Sequence, residues 1–246
     1  MITLYYCQTS YASHKVRIYL AEKNIPFKAI HIDLLKQEHL SSDYRNINAN
    51  GTVPTMIDDD GHTFSNSTDI MFALEIEYLE PELLPAETSQ RELIHQICAA
   101  HELLHDPSIR TLSYHKLFMN AQKRQGIDIE RVIALARQHP NRARGKFLER
   151  AITGKLTPTE IAQSQQAILD ALTQMEHYLT SSDERVIVGS HYSIADCVCT
   201  ASAYRIEKLG MLADIIALPR VNRWYMDMKR RDSFKRSLAT LDFERL

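Results

Sequence analysis

The strand signals of this chain end after its first 65 residues, and this limits the possible folds more than any other feature. Beyond residue 87 the apolar side chains recur almost only at helical spacing. β-branched and aromatic runs bounded by turn-forming residues predict four short strands, at residues 2–6, 27–32, 52–57 and 62–65. This order favours a small sheet with helices on its faces, followed by a wholly helical part.

The connections between the predicted strands define a mixed sheet. A helix that ends near Asn24-Ile25-Pro26 joins the first two strands in a βαβ unit, which requires a parallel pair. The turn at 58–61 joins the last two strands as an antiparallel pair. A short link with prolines at both ends occupies 81–85. We therefore expect an α/β domain over residues 1–80 and an all-α domain over 87–246.

The composition excludes several classes of protein. A formal net charge of −2 over 246 residues argues against a general binder of nucleic acids or anionic membranes. Four cysteines in a chain of this length do not form a disulfide framework. No apolar run approaches the roughly 18–20 residues of a membrane span, and the start does not resemble a signal peptide. The expectation is a soluble protein of the cytoplasm, without a membrane span or nucleic-acid partner.

Residues 121–155 form a basic insertion within the helical part. They contain nine Lys and Arg against three Asp and Glu, a local net charge of +6. A solvated helical excursion explains this composition. A basic wall beside an anionic ligand or partner explains it as well, and the sequence leaves both interpretations open.

A hydroxyl group stands where the first predicted strand gives way to a helix, at Ser10 and again at Ser13. The free backbone N–H groups and the dipole of a helix N-terminus favour an anion, including a thiolate. An ordinary helix cap also accounts for either serine. Residues Asn66-Ser67 pose the same choice at the start of a later helix, between a cap and a site for a carboxylate.

Val53-Pro54 enters the third predicted strand, where proline is unusual because it cannot donate to a strand ladder. A cis bond at this step would leave the preceding backbone N–H and C=O free to pair with a ligand's peptide groups. Since only about 5–6% of X–Pro bonds are cis, the step alone is weak evidence.

Two further patterns have structural interpretations. Residues Ser193 to Asp196 match a capping box, and we expect them to start a buried helix. Residues 101–105 match H-E-x-x-H, a zinc-site pattern. The third histidine of the extended pattern is missing, because Thr111 occupies its place. We expect core packing or a ligand-facing wall here, and no metal site.

Together these stretches resemble the cytosolic glutathione S-transferase superfamily over essentially the whole chain. The matching motifs occur in the family's order: Ser10-x-x-Ser13-x-x-Val16-Arg17, Glu38-His39-Leu40-Ser41, Asn48-x-Asn50-Gly51-Thr52-Val53-Pro54, Asn66-Ser67-x-x-Ile70, Gly189-x-x-Tyr192-Ser193-Ile194-Ala195-Asp196 and Trp224-x-x-x-Met228-x-x-Arg231-x-Ser233-Phe234. The first half is similar to theta- and zeta-type members, and the second half to bacterial tetrachlorohydroquinone reductive dehalogenases. The resemblance implies a thioredoxin-like domain (βαβ-α-ββα), then a helical domain, in a homodimer.

The resemblance also implies glutathione as the bound cofactor. Ser10 aligns with the serine that hydrogen-bonds the glutathione sulfur in theta- and zeta-like members. Thr52, Val53 and a cis Pro54 would hold the cysteinyl part through the backbone of Val53, and His39 would reach the glycyl end.

Ser67 would hold the γ-glutamyl carboxylate, with Asn66 beside it. The family usually has Glu or Gln before this serine, so the shorter Asn66 is a departure.

A second departure concerns the reaction. The reductive dehalogenases carry a cysteine close after the aligned serine, whereas this chain has Tyr11 and Ala12. Reduction by a protein cysteine in that turn is therefore disfavoured. Tyr6 and Tyr11 are rival hydroxyls, but the Arg-Gly pair of tyrosine-type transferases is missing, and Ser10 is favoured.

The expected function is a glutathione transferase acting on a small aromatic or halogenated electrophile. That substrate would lie between the Ser10 turn and the first long helix, against Tyr11, His105, Arg110 and Tyr114. A glutathione-dependent lyase, isomerase or reductive dehalogenase on the same scaffold is one alternative. A non-catalytic glutathione-binding adaptor, whose insertion binds a partner, is the other.

Overall fold

A computed structural model describes residues 1–182 and 185–238 of the chain. Its four-stranded sheet has the order β2-β1-β3-β4. Strand β1 pairs with β2 in parallel and with β3 in antiparallel orientation, and β3 pairs with β4 in antiparallel orientation. The predicted mixed sheet is confirmed. The strands are β1 (Thr3–Tyr6), β2 (Lys28–His31), β3 (Thr55–Ile57) and β4 (Thr63–Phe64).

The third strand begins three residues later than the predicted residue 52. The carbonyl oxygen of Thr52 accepts bonds from the Tyr44 hydroxyl, at 2.6 Å, and from Asn48 Nδ2, at 2.9 Å. Pro54 has no N–H to donate to a neighbouring strand. Side chains therefore take the place of a strand partner, and the ladder starts at Thr55.

Helices cover the sheet and make up the rest of the described chain. A 3₁₀ turn (Glu38–Leu40) precedes α2. The α-helices are α1 (Tyr11–Glu22), α2 (Ser42–Ile47), α3 (Ser67–Glu77), α4 (Thr88–Leu104), α5 (Arg110–Ser113), α6 (Met119–Arg124), α7 (Ile129–Arg137), α8 (Arg142–Ile152), α9 (Pro158–Ser181), α10 (Ile194–Lys208), α11 (Leu212–Ile216), α12 (Pro219–Arg230) and α13 (Asp232–Leu238). None of the helices within residues 1–182 and 185–238 is long and apolar enough to cross a membrane.

Helices α4 to α6 follow one another as a single arm, residues 88–124, with two irregular segments inside it. These segments are His105–Ile109 and Tyr114–Phe118. At the first, Asp106 leaves the helical conformation (φ −121°, ψ 109°) ahead of Pro107. Such interruptions are frequent at functional sites. Helix α4 therefore ends at Leu104, where the first of these segments begins.

The main core lies between α1 and the helices that pack on it, chiefly α10, α13 and α3. Fully buried members include Val16, Tyr19, Ile70, Ile97, Cys98, Val198, Trp224 and Tyr225. The predicted capping box begins α10: Asp196 accepts bonds from the Ser193 N–H, the Ile187 N–H and Trp224 Nε1, each at 3.0 Å. This carboxylate ties the preceding loop and α12 to the N-terminus of α10.

Helices α7 and α8 form a small unit with its own core, which we call the roof. Its buried members are Tyr114 of the arm together with Val132, Ala136, Leu148, Ala151 and Ile152. The two helices touch at Gly145, where a Cβ would lie 2.5 Å from the Ala136 carbonyl oxygen. Gln122 Nε2 donates to the Leu35 carbonyl oxygen at 3.1 Å. The basic insertion is therefore helical, and its start is attached to the sheet side of the molecule.

Candidate active site in the cleft between sheet and arm

A cleft that is open to solvent lies where the β1–α1 turn, the arm and the roof meet. Its walls come from six separate parts of the chain. They are lined by Thr9, Ser10, Tyr11, Leu34, Leu35, His39, Gly51, Thr52, Val53, His105, Ile109, Arg110, Ser113, Tyr114, Phe118, His139, Arg144, Leu148 and Arg205. Large apolar side chains and several cations thus share one cavity, the usual make-up of a small-molecule site.

Ser10 lies at the N-terminus of α1 and is buried. Its Oγ accepts a hydrogen bond from the Ser13 N–H at 3.2 Å, so Ser10 is the helix cap. Capping uses a lone pair of the oxygen and leaves the hydroxyl hydrogen available for donation. The N–H groups of Tyr11 and Ala12 in the first turn lie beyond the reach of intrahelical partners. The turn can therefore present several donors to one anion.

The loop before β3 brings Thr52 and Val53 to the cleft. Its Val53–Pro54 peptide bond is cis, which confirms that expectation. Gly51 has φ +57°, and a Cβ at this position would lie 3.0 Å from the His39 carbonyl oxygen. Glycine is required here because both the left-handed backbone and the close approach exclude a side chain.

His39 belongs to the 3₁₀ turn and lines the same cleft. Its Nδ1 is buried and has no hydrogen-bond partner among the residues that the structure describes. Burial, with His139 and Arg144 nearby, lowers the pKa of His39 to about 3. His39 is therefore a neutral imidazole with an unsatisfied nitrogen.

Asn66, Ser67 and Pro54 are the predicted glutathione-binding residues that do not line this cleft. Asn66 Oδ1 accepts from the N–H groups of Thr68, at 2.7 Å, and Asp69, at 3.3 Å. The Asn66 side chain is thus committed to capping α3. Ser67, buried, follows at the first helical position.

The arm supplies the opposite wall through His105, Arg110 and Tyr114. Tyr114 packs edge-on against Phe118 at 5.3 Å and against Phe147 of the roof at 6.0 Å between ring centroids. Arg110 is paired with the half-exposed carboxylate of Asp106. Sequence reasoning placed these three residues opposite Ser10, and the structure brings all of them to one cavity.

Of the rival tyrosines, Tyr11 lines the cleft and Tyr6 does not. The Tyr11 hydroxyl shares a hydrogen bond with Ser202 Oγ of α10, at 2.7 Å, although its ring lines the cleft. Tyr6 is buried and packs against Arg17 and His31. Burial raises the pKa of the Tyr11 hydroxyl far above its ordinary value. The Tyr11 hydroxyl is therefore engaged by α10.

The H-E-x-x-H residues serve the core. His101 is buried, with Nδ1 at 2.6 Å from Ser202 Oγ and Nε2 at 3.5 Å from Cys199 Sγ. Both ring nitrogens of His101 are therefore engaged by α10. No group of three or more His, Cys, Asp or Glu residues within 1–182 and 185–238 is arranged to hold a metal ion.

Sequence reasoning missed Arg205 of α10. Its guanidinium donates to the Thr9 carbonyl oxygen and, from Nη1, to Ser113 Oγ at 3.1 Å. It is 3% exposed, and burial lowers its pKa to about 10, so it remains a cation at neutral pH. The sequence signal that could have identified Arg205 is an arginine among the small and apolar residues of a predicted core helix.

His139 and Arg144 were predicted only collectively, as part of the basic insertion. His139 lies in the turn between α7 and α8, and Arg144 is in the first turn of α8. Both line the cleft. Three residues of the insertion, these two and Leu148, thus line the cavity, and Arg144 is the cation among them.

Comparisons with known proteins agree with this architecture. The family model "Glutathione S-transferase, N-terminal domain" matches residues 9–76. Glutathione S-transferase Z2 of Arabidopsis thaliana is 28% identical over 195 residues, which cover 79% of this chain and 72% of that protein. The tetrachloro-p-hydroquinone reductive dehalogenase of Sphingobium chlorophenolicum is 26% identical over 242 residues, covering 95% and 94%. Glutathione S-transferase Z1 of Arabidopsis thaliana is 37% identical, but over only 39% of this chain and 42% of its own length.

Solved structures share the whole fold. The beta-etherase LigF from Sphingobium sp. strain SYK-6 superposes with a TM-score of 0.81 at 20% identity, over 97% of this chain and 99% of that one. A maleyl pyruvate isomerase described as a zeta-class bacterial glutathione S-transferase gives a TM-score of 0.67 at 21% identity, over 96% and 95%. The sheet order, the helical remainder and the sequence matches together support membership of the glutathione S-transferase superfamily.

Proposed function

We propose that this protein is a glutathione S-transferase that activates the thiol of glutathione through the Ser10 hydroxyl. One observation carries the proposal. Ser10 is the cap of α1, it borders the cleft, and its hydroxyl hydrogen is not consumed by the capping bond. A sulfur placed at this corner would receive a hydroxyl donor and a helix N-terminus together.

The remaining parts of glutathione find suitable groups around Ser10. The Val53 backbone borders the cleft beside a cis proline and would pair with the cysteinyl peptide. His39 would take the glycyl end with its unsatisfied nitrogen. Ser67, at the first position of α3, would meet the γ-glutamyl carboxylate with the positive end of that helix. Asn66 would act indirectly, by capping α3 and fixing Ser67.

The available interactions are strong enough to ionise the thiol at neutral pH. A free cysteine thiol has a pKa of about 8.5. A hydrogen bond to a charged acceptor contributes about 1.5–3 kcal/mol, equivalent to roughly one to two pKa units. The helix dipole adds up to about one unit more. Arg205, a buried cation beside the Thr9 carbonyl, acts in the same direction.

The second substrate would occupy the space between Ser10 and the arm. Tyr11, His105 and Tyr114 offer aromatic and imidazole faces, and Arg110 a positive charge. In the transfer, the sulfur–carbon bond forms and the bond to the leaving group breaks, while the thiol proton has already passed to solvent. A small aromatic or halogenated electrophile fits this wall.

The transferase proposal is tested by spectroscopy and product analysis. Glutathione is titrated into the protein, and thiolate absorbance is followed against pH. We expect a bound-thiol pKa below 7. A panel of aromatic halides should then yield stable thioethers. Glutathione binding without turnover of any electrophile would refute the transferase and favour an adaptor.

A glutathione-dependent lyase, isomerase or reductive dehalogenase is the second candidate. It is favoured by the match over 95% of the chain to a protein named as a reductive dehalogenase. Against reduction through a protein thiol, Cys7 is 3% exposed and contacts Thr9, and it does not border the cleft. Formation of oxidised glutathione or of a rearranged product, instead of a thioether, would favour this candidate.

A further inference from the structure

We infer that Arg110, Arg144 and His139 form a binding site for a carboxylate under the roof of the cleft. The inference rests on the proposed function for its place beside the thiol. It goes further by assigning the basic insertion a ligand chemistry and named residues. The three side chains come from the arm, from α8 and from the turn between α7 and α8.

The two guanidinium groups converge on a shared carboxylate, which shows that they can bind one anion together. Asp106 Oδ2 is bonded by Arg110 and lies 3.4 Å from Arg144 Nη2. The Asp106 side chain is 50% exposed, whereas Arg110 is 11% and Arg144 26% exposed. One solvated carboxylate thus meets two largely covered cations, and the pair keeps a net positive charge. A guanidinium also has donors left after one such contact.

His139 adds a buried donor without a partner. The Asn141 N–H donates to His139 Nδ1 at 2.9 Å, and this bond places the proton of a neutral imidazole on Nε2. His139 is 5% exposed, and Nε2 is buried with no hydrogen-bond partner among the described residues. A buried N–H left unsatisfied costs free energy, so the site favours a ligand that accepts this proton.

The electrostatic environment supports the same conclusion. Burial, with Arg144 and Arg110 nearby, lowers the pKa of His139 to about 4. Packing and Arg110 hold the pKa of His105 well below its ordinary value. Burial and Arg110 lower the pKa of Arg144 to about 10. Besides burial, the neighbouring arginines oppose positive charge on these three side chains, and a bound anion would offset that part of the effect.

Two carboxylates could supply that anion, the glycyl carboxylate of glutathione or an acidic group on the electrophile. Two probe pairs distinguish these sources. The first pair is glutathione and its monoethyl ester at the glycyl carboxylate. The second pair is 4-chloro-3-nitrobenzoate and its methyl ester, which test the electrophile side.

The test measures dissociation constants of all four probes by calorimetry, with the wild type, Arg144→Gln and His139→Phe. The matched control is Arg142→Gln, which removes an exposed cation from the same helix. In Arg144→Gln we expect the acid of at least one pair to bind about tenfold or more weakly, and its ester less than about twofold. His139→Phe should weaken the same acid, and Arg142→Gln should leave both pairs unchanged. Thermal unfolding of each variant verifies that it is folded.

The outcomes separate this site from the transferase assignment. A selective loss for glutathione assigns the glycyl carboxylate, and a selective loss for the benzoate assigns the electrophile. Equal changes for acid and ester in both pairs, or the same loss in Arg142→Gln, would overturn the site. If the wild type does not bind glutathione at all, the transferase proposal fails, and the benzoate pair still tests the site.

Discussion

Replacing Ser10 by alanine should remove two interactions that the structure assigns to one oxygen atom. The first is the capping bond from the Ser13 N–H, at 3.2 Å. Loss of such a cap lowers the free energy of unfolding by about 1 kcal/mol. The second is the proposed donation to a bound thiolate. Loss of that bond, about 1.5–3 kcal/mol, should raise the pKa of the bound thiol by roughly one to two units.

Two further variants separate these effects. Ser10→Thr keeps both the cap and the hydroxyl, so the thiol pKa should stay within about half a unit of the wild-type value. Thr157 caps the exposed start of α9, where its Oγ1 accepts from the Glu160 N–H at 3.2 Å. Thr157→Ala should therefore cost a similar free energy of unfolding while leaving the thiol pKa unchanged.

The assay is thiolate absorbance of the glutathione complex between pH 5 and 10, together with urea unfolding of each variant. An unchanged thiol pKa in Ser10→Ala would refute the role of the hydroxyl, whatever happens to stability. A raised pKa in Thr157→Ala would show that the shift reports loosened packing and not a lost donor.

Three other predictions concern the scaffold. Asp196→Asn should lower the free energy of unfolding by at least about 2 kcal/mol, because two backbone N–H groups and an indole N–H donate hydrogen bonds to this carboxylate. An unchanged midpoint of urea unfolding would contradict this. His101, whose pKa burial lowers to about 3, binds fewer protons in the folded than in the unfolded state. The free energy of unfolding should therefore fall as the pH falls from about 6.5 towards 3, by up to about 1.4 kcal/mol per pH unit for this residue. The variant His101→Gln should reduce the slope of melting temperature against pH, and an identical slope would refute this. Gly145→Val should loosen the packing of α7 on α8, since a Cβ would lie 2.5 Å from the Ala136 carbonyl oxygen. Limited proteolysis should then cut this variant within 121–155, whereas Ala143→Val, at an exposed position of α8, should stay resistant. Equal resistance of the two variants would count against this packing.

The sheet and the long helices could be predicted because local pattern and tertiary structure agree there. β-branched and aromatic runs with flanking turn residues identify β1 to β4, and helical spacing beyond residue 87 identifies the all-helical part. The start of β3 was wrong because Tyr44 and Asn48 compete with a strand partner for the Thr52 carbonyl. Such a side-chain contact depends on folding and leaves little trace in local spacing.

Ser10 shows why two interpretations of one residue need not exclude each other. The sequence could not choose between a helix cap and an anion donor. In the structure the cap uses an acceptor position of the oxygen, and the donor position remains. The prediction of Ser10 as a candidate site therefore depended on the motif around it and not on local propensity.

The cationic part of the cleft was the least predictable. Arg205 comes from a helix whose sequence pattern predicts a buried core helix. His139 and Arg144 come from an insertion whose composition is typical of a solvated surface. Their meeting depends on how the roof packs on Tyr114 and how Gln122 reaches the Leu35 carbonyl. The bond between Gln122 and Leu35 joins residues 87 positions apart along the chain, beyond the range of any helical or strand periodicity.

The separate core of α7 and α8 has an evolutionary consequence. Because Val132, Ala136 and Leu148 pack among themselves and on Tyr114, mutations there leave the large hydrophobic interior of the molecule untouched. Substitutions in this segment, or its replacement, should therefore cost the rest of the fold little stability. Homologues that keep the Ser10 corner and diverge between 121 and 155 would then accept different chemicals while retaining one shared nucleophile.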